Sequence, residues 1–219
     1  MLVGHFAVSL LGKRIEPKLS VGTLMFAAML PDVLWCVFMI AGFEKIQVAA
    51  AGRFKLEAIE IAYSHSLLAG VIWGGLLALF YASRRSDKRG ALILFGAVLS
   101  HWVLDVISHP PDMSLAPGMH SRVGLGLWNS IPATLVVEGG FWLLAIAVYL
   151  RATRARSRAS LVVFWLPVLF LTLAWYGNIA GPPPADPSSI RFTSLIFFLL
   201  TVAWAYWLNR VRPASINAA

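Results

Sequence analysis

The run Leu19-Ser-Val-Gly-Thr-Leu-Met-Phe-Ala-Ala-Met-Leu-Pro-Asp-Val-Leu-Trp-Cys-Val-Phe-Met-Ile-Ala-Gly-Phe43 holds about 25 residues and one carboxylate, Asp32. At about 1.5 Å of rise per residue, a helix of that length crosses the roughly 30 Å hydrocarbon core of a bilayer. Five further runs of the same character follow, at Ala62–Ala82, Ala91–Ser108, Ile131–Leu150, Ser160–Ile179 and Ile190–Leu208. With 59% hydrophobic and 13% charged residues and a mean hydropathy of +0.76, the 219-residue chain is too apolar for an ordinary soluble domain. The expected fold is all-α: a polytopic transmembrane helix bundle of six full-length spans forming one domain, residues 1–219.

A seventh, shorter segment precedes them. Met1–Gly12 is apolar but only about 12 residues long, which suits a helix tucked into a bundle better than an independent crossing. Lys13 and Arg14 follow this stretch instead of preceding it, which is the wrong order for a signal peptide, so the mature chain is expected to begin at Met1.

Lys and Arg set the orientation. The basic clusters are Lys13-Arg14 with Lys18, Arg84-Arg85 with Lys88-Arg89, Arg151 to Arg158, and Arg210 with Arg212. Threading seven segments puts all of them on one side, and 44–61, 109–130 and 181–189 on the other. The positive-inside rule then makes the basic side cytoplasmic, with the N-terminus outside and the C-terminus inside. This is the expected arrangement of an integral protein of a bacterial inner (plasma) membrane. The formal net charge of +8 is accounted for by topology and anionic lipid headgroups, with the lipid bilayer as partner and no nucleic acid.

Against this apolar background several residues are out of place. Asp32 follows Pro31 within the second segment, His101 and Asp105 lie in the fourth, Glu138 in the fifth, His65 opens the third, and His5 lies in the short first. An ionisable group near the bilayer centre costs about 2.5–3.5 kcal/mol, so three isolated carboxylates would cost about 9 kcal/mol; they must be paired, protonated or bound to a cation. The topology assigns all five histidines, His5, His65, His101, His109 and His120, to the outer half or the outer loops. His101 and Asp105 are spaced i, i+4 and share a helix face, which suits two ligands on one cation, a carboxylate orienting a ligating imidazole, or a hydrogen-bonded pair inside a bundle. Pro31 removes a backbone donor and is expected to kink or break its helix beside Asp32.

The outer segment from His109 to Ser130 reads as an irregular loop of about 20 residues lying over the outer site like a lid, with His109 and Asp112 as solvated polar groups. The nine tryptophans read as an interfacial belt. The single cysteine, Cys36, excludes an intrachain disulfide and is expected to be a small buried hydrophobe. There is no G-x-S-x-G, H-E-x-x-H, P-loop or dinucleotide fingerprint. Ser64 and Ser66 flank His65, but neighbouring residues on a helix diverge, so no Ser-His pair is expected.

Taken in order, His5, Met29-Leu30-Pro31-Asp32, Ser64-His65-Ser66-Leu67 and Ser100-His101-Trp-Val-Leu-Asp105 resemble the motifs of the YdjM-like, membrane-bound metal-dependent hydrolase family: an N-terminal histidine, L-P-D-x-D, T-H-S-L and H-x-x-x-D. Two positions differ. Leu34 replaces the second aspartate of P-D-x-D, and Glu60-Ile61 replaces the His-Arg pair common before T-H-S. These changes imply a mononuclear site, recruitment of Glu60 or Glu138, or a member that has lost catalysis.

The resemblance implies a membrane-embedded metal-dependent hydrolase acting on an ester or phosphoester of an amphiphilic substrate at the outer face. The expected metal ligands are His5, Asp32, His65, His101 and Asp105, holding a divalent metal ion, zinc by preference for imidazole and carboxylate. Asp105 and Glu138 are the expected catalytic residues, Glu138 as general base. The cationic clamp expected for a phosphate is weak on the outer side, with Arg122 and the Arg53/Lys55 pair as the candidates. The alternative is a non-catalytic subunit or assembly factor of a larger membrane protein complex, its His/Asp cluster structural or holding an ion or pigment. A proton carrier using Asp32, Asp105 and Glu138 requires polar residues continuing inward, where the segments are apolar.

Overall fold

Lipid offers the backbone no hydrogen-bond partners, so each long apolar run must close its own bonds as a helix. The computed structural model describes residues 1–48, 56–182 and 187–215. Its helices are α1 (Leu2–Ile15), α2 (Val21–Ile40), α3 (Ala62–His65), α4 (Leu67–Arg85), α5 (Lys88–Ser108), α6 (Ile131–Ala152), α7 (Arg158–Ala180) and α8 (Pro187–Val211). Six of them, α2 and α4 to α8, are long and apolar enough to cross a membrane. Their starts are set by hydroxyl and carboxylate caps: Ser20, Ser66, Asp87, Ser130 and Ser157 each accept a backbone N–H from the first turn that follows.

The short α1 is buried along most of its length and touches α2, α5, α6 and α7. Its 14 residues reach about 21 Å. The neighbouring helices surround it, and that is how a short apolar segment carrying His5 is accommodated. The main core forms around α1, α2, α6, α7 and α8, with Phe6, Leu10, Met25, Met29, Trp142, Tyr149, Phe164 and Leu208 buried together. Leu79, Val136, Leu166 and Leu200 face outward, as lipid contact requires.

The structure refines the sequence expectations at several places. The segment expected as one span over 62–82 is divided: α3 ends at His65, Ser66 is extended at φ −82°, ψ 158°, and α4 starts at Leu67. The segment 44–61 carries an antiparallel hairpin, β1 (Lys45–Val48) with β2 (Leu56–Glu60), in which Lys45 pairs with Glu60. The 109–130 segment is not irregular. It contains a short β3–β4 pair (Met113–Ser114 with Arg122–Val123) and a 3-10 turn at Leu127–Asn129. It is fastened to the helices through Leu125 N–H to the Val106 carbonyl (2.7 Å), Trp102 Nε1 to the Ser114 carbonyl (3.1 Å) and Leu68 N–H to the Leu115 carbonyl (2.9 Å). Pro31, by contrast, neither breaks nor ends α2, which runs through it to Ile40.

The basic segments gather at one end of the bundle. Arg89 bonds to the Ile15 carbonyl and pairs with Glu16, the Arg154 and Arg156 amides bond to the Pro213 and Val211 carbonyls, and Val21 N–H bonds to Asn209. The two hairpins occupy the other end.

Gly124 shows how tightly the loop is seated. A Cβ there would lie about 2.0 Å from the Pro110 carbonyl oxygen, a backbone atom that no side-chain rotation can move aside. Gly124→Ala is therefore expected to lower the local opening free energy of the 109–126 segment by about 1–3 kcal/mol. Hydrogen exchange should quicken at the Leu125 and Gly126 amides and not in the helices; unchanged exchange at those two amides would count against this packing.

Candidate metal centre

Five side chains from four helices meet at the hairpin end. His5 comes from the first turns of α1, Asp32 follows Pro31 on α2, His65 closes α3, and His101 and Asp105 lie one turn apart on α5. The break at Ser66 positions His65: it ends one helix, free of the direction that α4 would impose.

Asp105 is the hub. Its Oδ1 lies 3.0 Å from His5 Nε2, and its Oδ2 lies 3.2 Å from His101 Nε2 and 3.9 Å from His65 Nε2. Asp32 Oδ1 lies 3.4 Å from His65 Nε2 and 3.7 Å from His101 Nε2. The rings of His5 and His101 stack with centroids 3.6 Å apart, and His65 meets His101 edge-on at 5.2 Å. The α-amino group of Met1 donates to Asp105 Oδ1 at 2.6 Å and to Ser108 Oγ at 3.1 Å, and lies 3.1 Å from His5 Nε2. All of these groups are buried except Asp32, whose side chain is 14% exposed.

Two sets of donors lie close enough together to share one cation: Asp32, His65 and His101, and His5, His101 and Asp105. Ligands about 2.0–2.1 Å from a tetrahedral zinc stand roughly 3.3 Å apart, and the 3.0–3.9 Å separations bracket that spacing. His101 supplies the sharper test of fit. Its Nδ1 lies 2.8 Å from the Ala28 carbonyl; a carbonyl only accepts, so Nδ1 carries the proton. Its Nε2 is buried without a hydrogen-bond partner, facing two carboxylates. An orphaned imidazole nitrogen among carboxylates suits a cation, and the residues present fit a divalent metal.

Behind His65 stands a chain of contacts that the helix-face argument does not anticipate. Ser64 Oγ lies 2.7 Å from His65 Nδ1, contrary to the expected divergence, because α3 ends there and the imidazole turns back along its neighbour. The same hydroxyl donates to Glu44 Oε2 at 2.7 Å, and the Ser64 N–H donates to Glu44 Oε1 at 2.8 Å. Glu44 is buried outside the spans, and desolvation holds its carboxyl above the ordinary value, opposed by its bonds from Ser64.

Glu138 sits apart from the cluster. Its Oε1 accepts from Gly4 N–H at 3.3 Å and its Oε2 from Trp128 Nε1 at 3.1 Å, so it ties α6 to α1 and to the 3-10 turn. His109 and Asp112 pair with each other at 3.2 Å, partly buried, and His109 meets the Trp128 ring at 5.0 Å. Arg122 donates to the Asp112 carbonyl, and His120 is exposed. Leu34, two residues past Asp32, does not line the site. Arg53, Lys55 and the Glu60 side chain lie outside the described residues.

A cavity of about 540 Å³ opens onto the cluster. His5, Asp32, His65 and Asp105 line it on one side, and Trp35, Trp128, Trp175, Ile179, Phe197 and Phe198 line it elsewhere. These three tryptophans are thus walls of the site, a role that an interfacial belt does not capture. Among them Trp175 is buried, with an indole N–H that has no hydrogen-bond partner.

The family model described as YdjM inner membrane protein matches residues 1–180, which include all five cluster residues. No curated protein and no solved structure matches the chain.

Asp105→Asn keeps the shape of the side chain and removes the charge on which three imidazoles converge. Loss of one member of a buried charge network costs about 3–5 kcal/mol. Asp112→Asn, at the partly exposed rim, is expected to cost about 0–1 kcal/mol. Equilibrium unfolding of the two variants in detergent should separate them in that order, and equal effects would remove Asp105 from its central place.

Proposed function

The chain belongs to the YdjM inner membrane protein family, and on that premise we propose that it is a membrane-embedded, metal-dependent hydrolase of an amphiphilic ester or phosphoester. The observation that carries the proposal is the buried Nε2 of His101, which makes no hydrogen bond yet lies 3.2 Å from Asp105 Oδ2 and 3.7 Å from Asp32 Oδ1, beside His65 and an apolar-walled cavity. Such a group is costly to bury unless something positive completes it.

Asp32, His65, His101 and Asp105 hold the ion in this proposal, and His5 joins through the other oxygen of Asp105. A divalent cation in that place, zinc for its affinity toward imidazole and carboxylate, supplies Lewis-acid activation of water and of the scissile group. The residues do the rest. Asp32, the more exposed of the two carboxylates and a lining residue of the cavity, is placed to accept a proton from incoming water. Asp105 fixes the imidazoles in position. Glu138, with both oxygens engaged, acts by holding Trp128 against the cavity instead of by taking a proton.

The cavity walls support the substrate class. Trp35, Trp175, Ile179, Phe197 and Phe198 offer an apolar surface to a hydrocarbon portion, and the His/Asp side receives the polar bond. With the basic end cytoplasmic by the positive-inside rule, the cavity faces the outer side of a bacterial inner membrane, within reach of outer-leaflet molecules. A non-catalytic role in a larger complex draws its support from the mutual pairing of His5, His101 and Asp105, all buried.

Metal analysis tests the hydrolase reading. Purified wild-type protein is expected to carry about one divalent ion per chain, and Asp105→Ala and His65→Ala are each expected to lose it. Wild-type protein that stays metal-free after incubation with zinc would overturn the hydrolase reading and leave the structural one.

A further inference from the structure

We infer that Glu44 is a positioning residue for the metal centre: acting through the Ser64 hydroxyl, it keeps the His65 proton on Nδ1 and leaves Nε2 to face the cation.

This inference rests on the metal reading above for its purpose, but its geometry stands on its own. The Ser64 hydroxyl has one proton. Glu44 Oε2, 2.7 Å away, is a carboxylate oxygen that only accepts, so the proton points there. The second Glu44 oxygen takes the Ser64 N–H at 2.8 Å, which fixes the carboxylate in a two-point grip. With its proton committed, Ser64 Oγ offers only lone pairs to His65 Nδ1, also 2.7 Å away. Nδ1 must therefore be the donor. Nε2, on the opposite edge of the ring, faces Asp32 and Asp105.

The fold explains why these residues meet. Glu44 immediately precedes β1 and Ser64 closely follows β2; the Lys45–Glu60 pairing of the hairpin brings its two ends together, and with them Glu44 and Ser64. Both side chains are buried, and neither lines the cavity. The hydroxyl is therefore directed away from substrate and toward the carboxylate, which suits an orienting role and not attack. An imidazole ligand commonly gives its second N–H to a carboxylate directly, and loss of that partner weakens metal binding about 10–100-fold. Here a serine hydroxyl stands between them.

Replacing Glu44 by Gln makes a specific prediction. The amide oxygen must stay with the Ser64 N–H, so the amide NH2 faces Ser64 Oγ and donates to it. The hydroxyl proton then has two other acceptors, the Ile61 carbonyl at 3.3 Å and His65 Nδ1 at 2.7 Å; the nearer Nδ1 takes it, and the ring proton moves to Nε2, the nitrogen that should bind metal. Ser64→Ala removes the relay, whereas Ser64→Thr retains the hydroxyl.

The test is nitrogen-15 NMR of histidine-labelled protein in detergent, with and without zinc, beside zinc affinity measured by chelator competition. In the wild type, His65 Nδ1 is expected to be the protonated nitrogen in both states. In Glu44→Gln, His65 is expected to carry its proton on Nε2 without zinc, and zinc affinity to fall about 10–100-fold. Ser64→Ala should lose affinity to a similar extent, and Ser64→Thr should restore it. A wild-type His65 with unprotonated Nδ1 would overturn the relay, and that spectrum needs no variant to fold. A wild type that binds no zinc yet keeps the Nδ1 proton would overturn the metal reading and leave the relay standing. Zinc binding unaffected by Glu44→Gln and Ser64→Ala would do the reverse.

Discussion

The structure at the hairpin end depends on the cost of placing Asp105 in an apolar interior. A buried carboxylate without partners costs several kcal/mol, and Asp105 finds its partners on its own helix, on two others and in the Met1 ammonium group. His101 is one turn away on α5, but His5 arrives from α1 and His65 from α3. Each of those contacts imposes a demand on the fold. Segment α1 must be short and enclosed, so that His5 meets Asp105 and not lipid. The chain must break at Ser66, so that His65 is released from the direction of α4. Asp32 must sit where α2 faces α5, and the Ala28 carbonyl of α2 fixes the His101 ring there. The helix arrangement at this end is what one stabilised carboxylate requires.

The two ends of the bundle treat buried charge differently, and the difference separates topology from chemistry. At the basic end, Lys13 is buried, yet its ammonium group reaches the Pro17 and Leu19 carbonyls only a few residues away, both at 2.8 Å. Arg212 lies over the Tyr149 and Phe164 rings and bonds to Thr153. These are short-range or interfacial solutions that satisfy a cation where the chain turns. At the hairpin end, Asp105 and His5 meet from positions 100 residues apart. A side chain anchored by its own turn needs no further explanation. Five side chains brought together from four helices, one of them with a buried imidazole nitrogen that makes no hydrogen bond, do need one, and the cation of the proposed function would supply it.

Hydropathy made the six long helices legible, because length and apolarity are properties of single segments. The site was legible in part for a related reason: Asp32, His65, His101 and Asp105 are conspicuous in apolar surroundings, and the cost of an unpartnered charge predicts that they meet. What escaped depends on contacts between segments. Glu44 looks like an ordinary polar residue at the end of a span, and only the hairpin pairing brings it to Ser64. Glu138 is as conspicuous as Asp105 but is drawn off by Trp128 and Gly4, partners with no charge for a sequence reading to notice. The Ser64–His65 contact lies beyond what helix geometry predicts, because α3 ends at His65. The 109–130 segment has the Pro and Gly content of an irregular loop, yet Gly124 serves close approach to Pro110 and not flexibility.

The division of the cavity between two parts of the chain bears on what can be inherited from the family. Every cluster residue, with Trp35, Trp128 and Trp175, falls within the matched residues 1–180. Ile190, Thr193, Ser194, Phe197 and Phe198, which line the cavity from α8, fall beyond them. The candidate cation donors thus lie within the family match, whereas one wall of the cavity lies outside it. Chemistry and selectivity are consequently separable in this molecule. On the proposed function the donor set would fix the type of bond attacked, and α8, which lines the cavity, would contribute to the shape of what can reach it. Under that proposal, contacts that a substrate makes with α8 fall beyond the matched residues 1–180, and nothing in the family match constrains them.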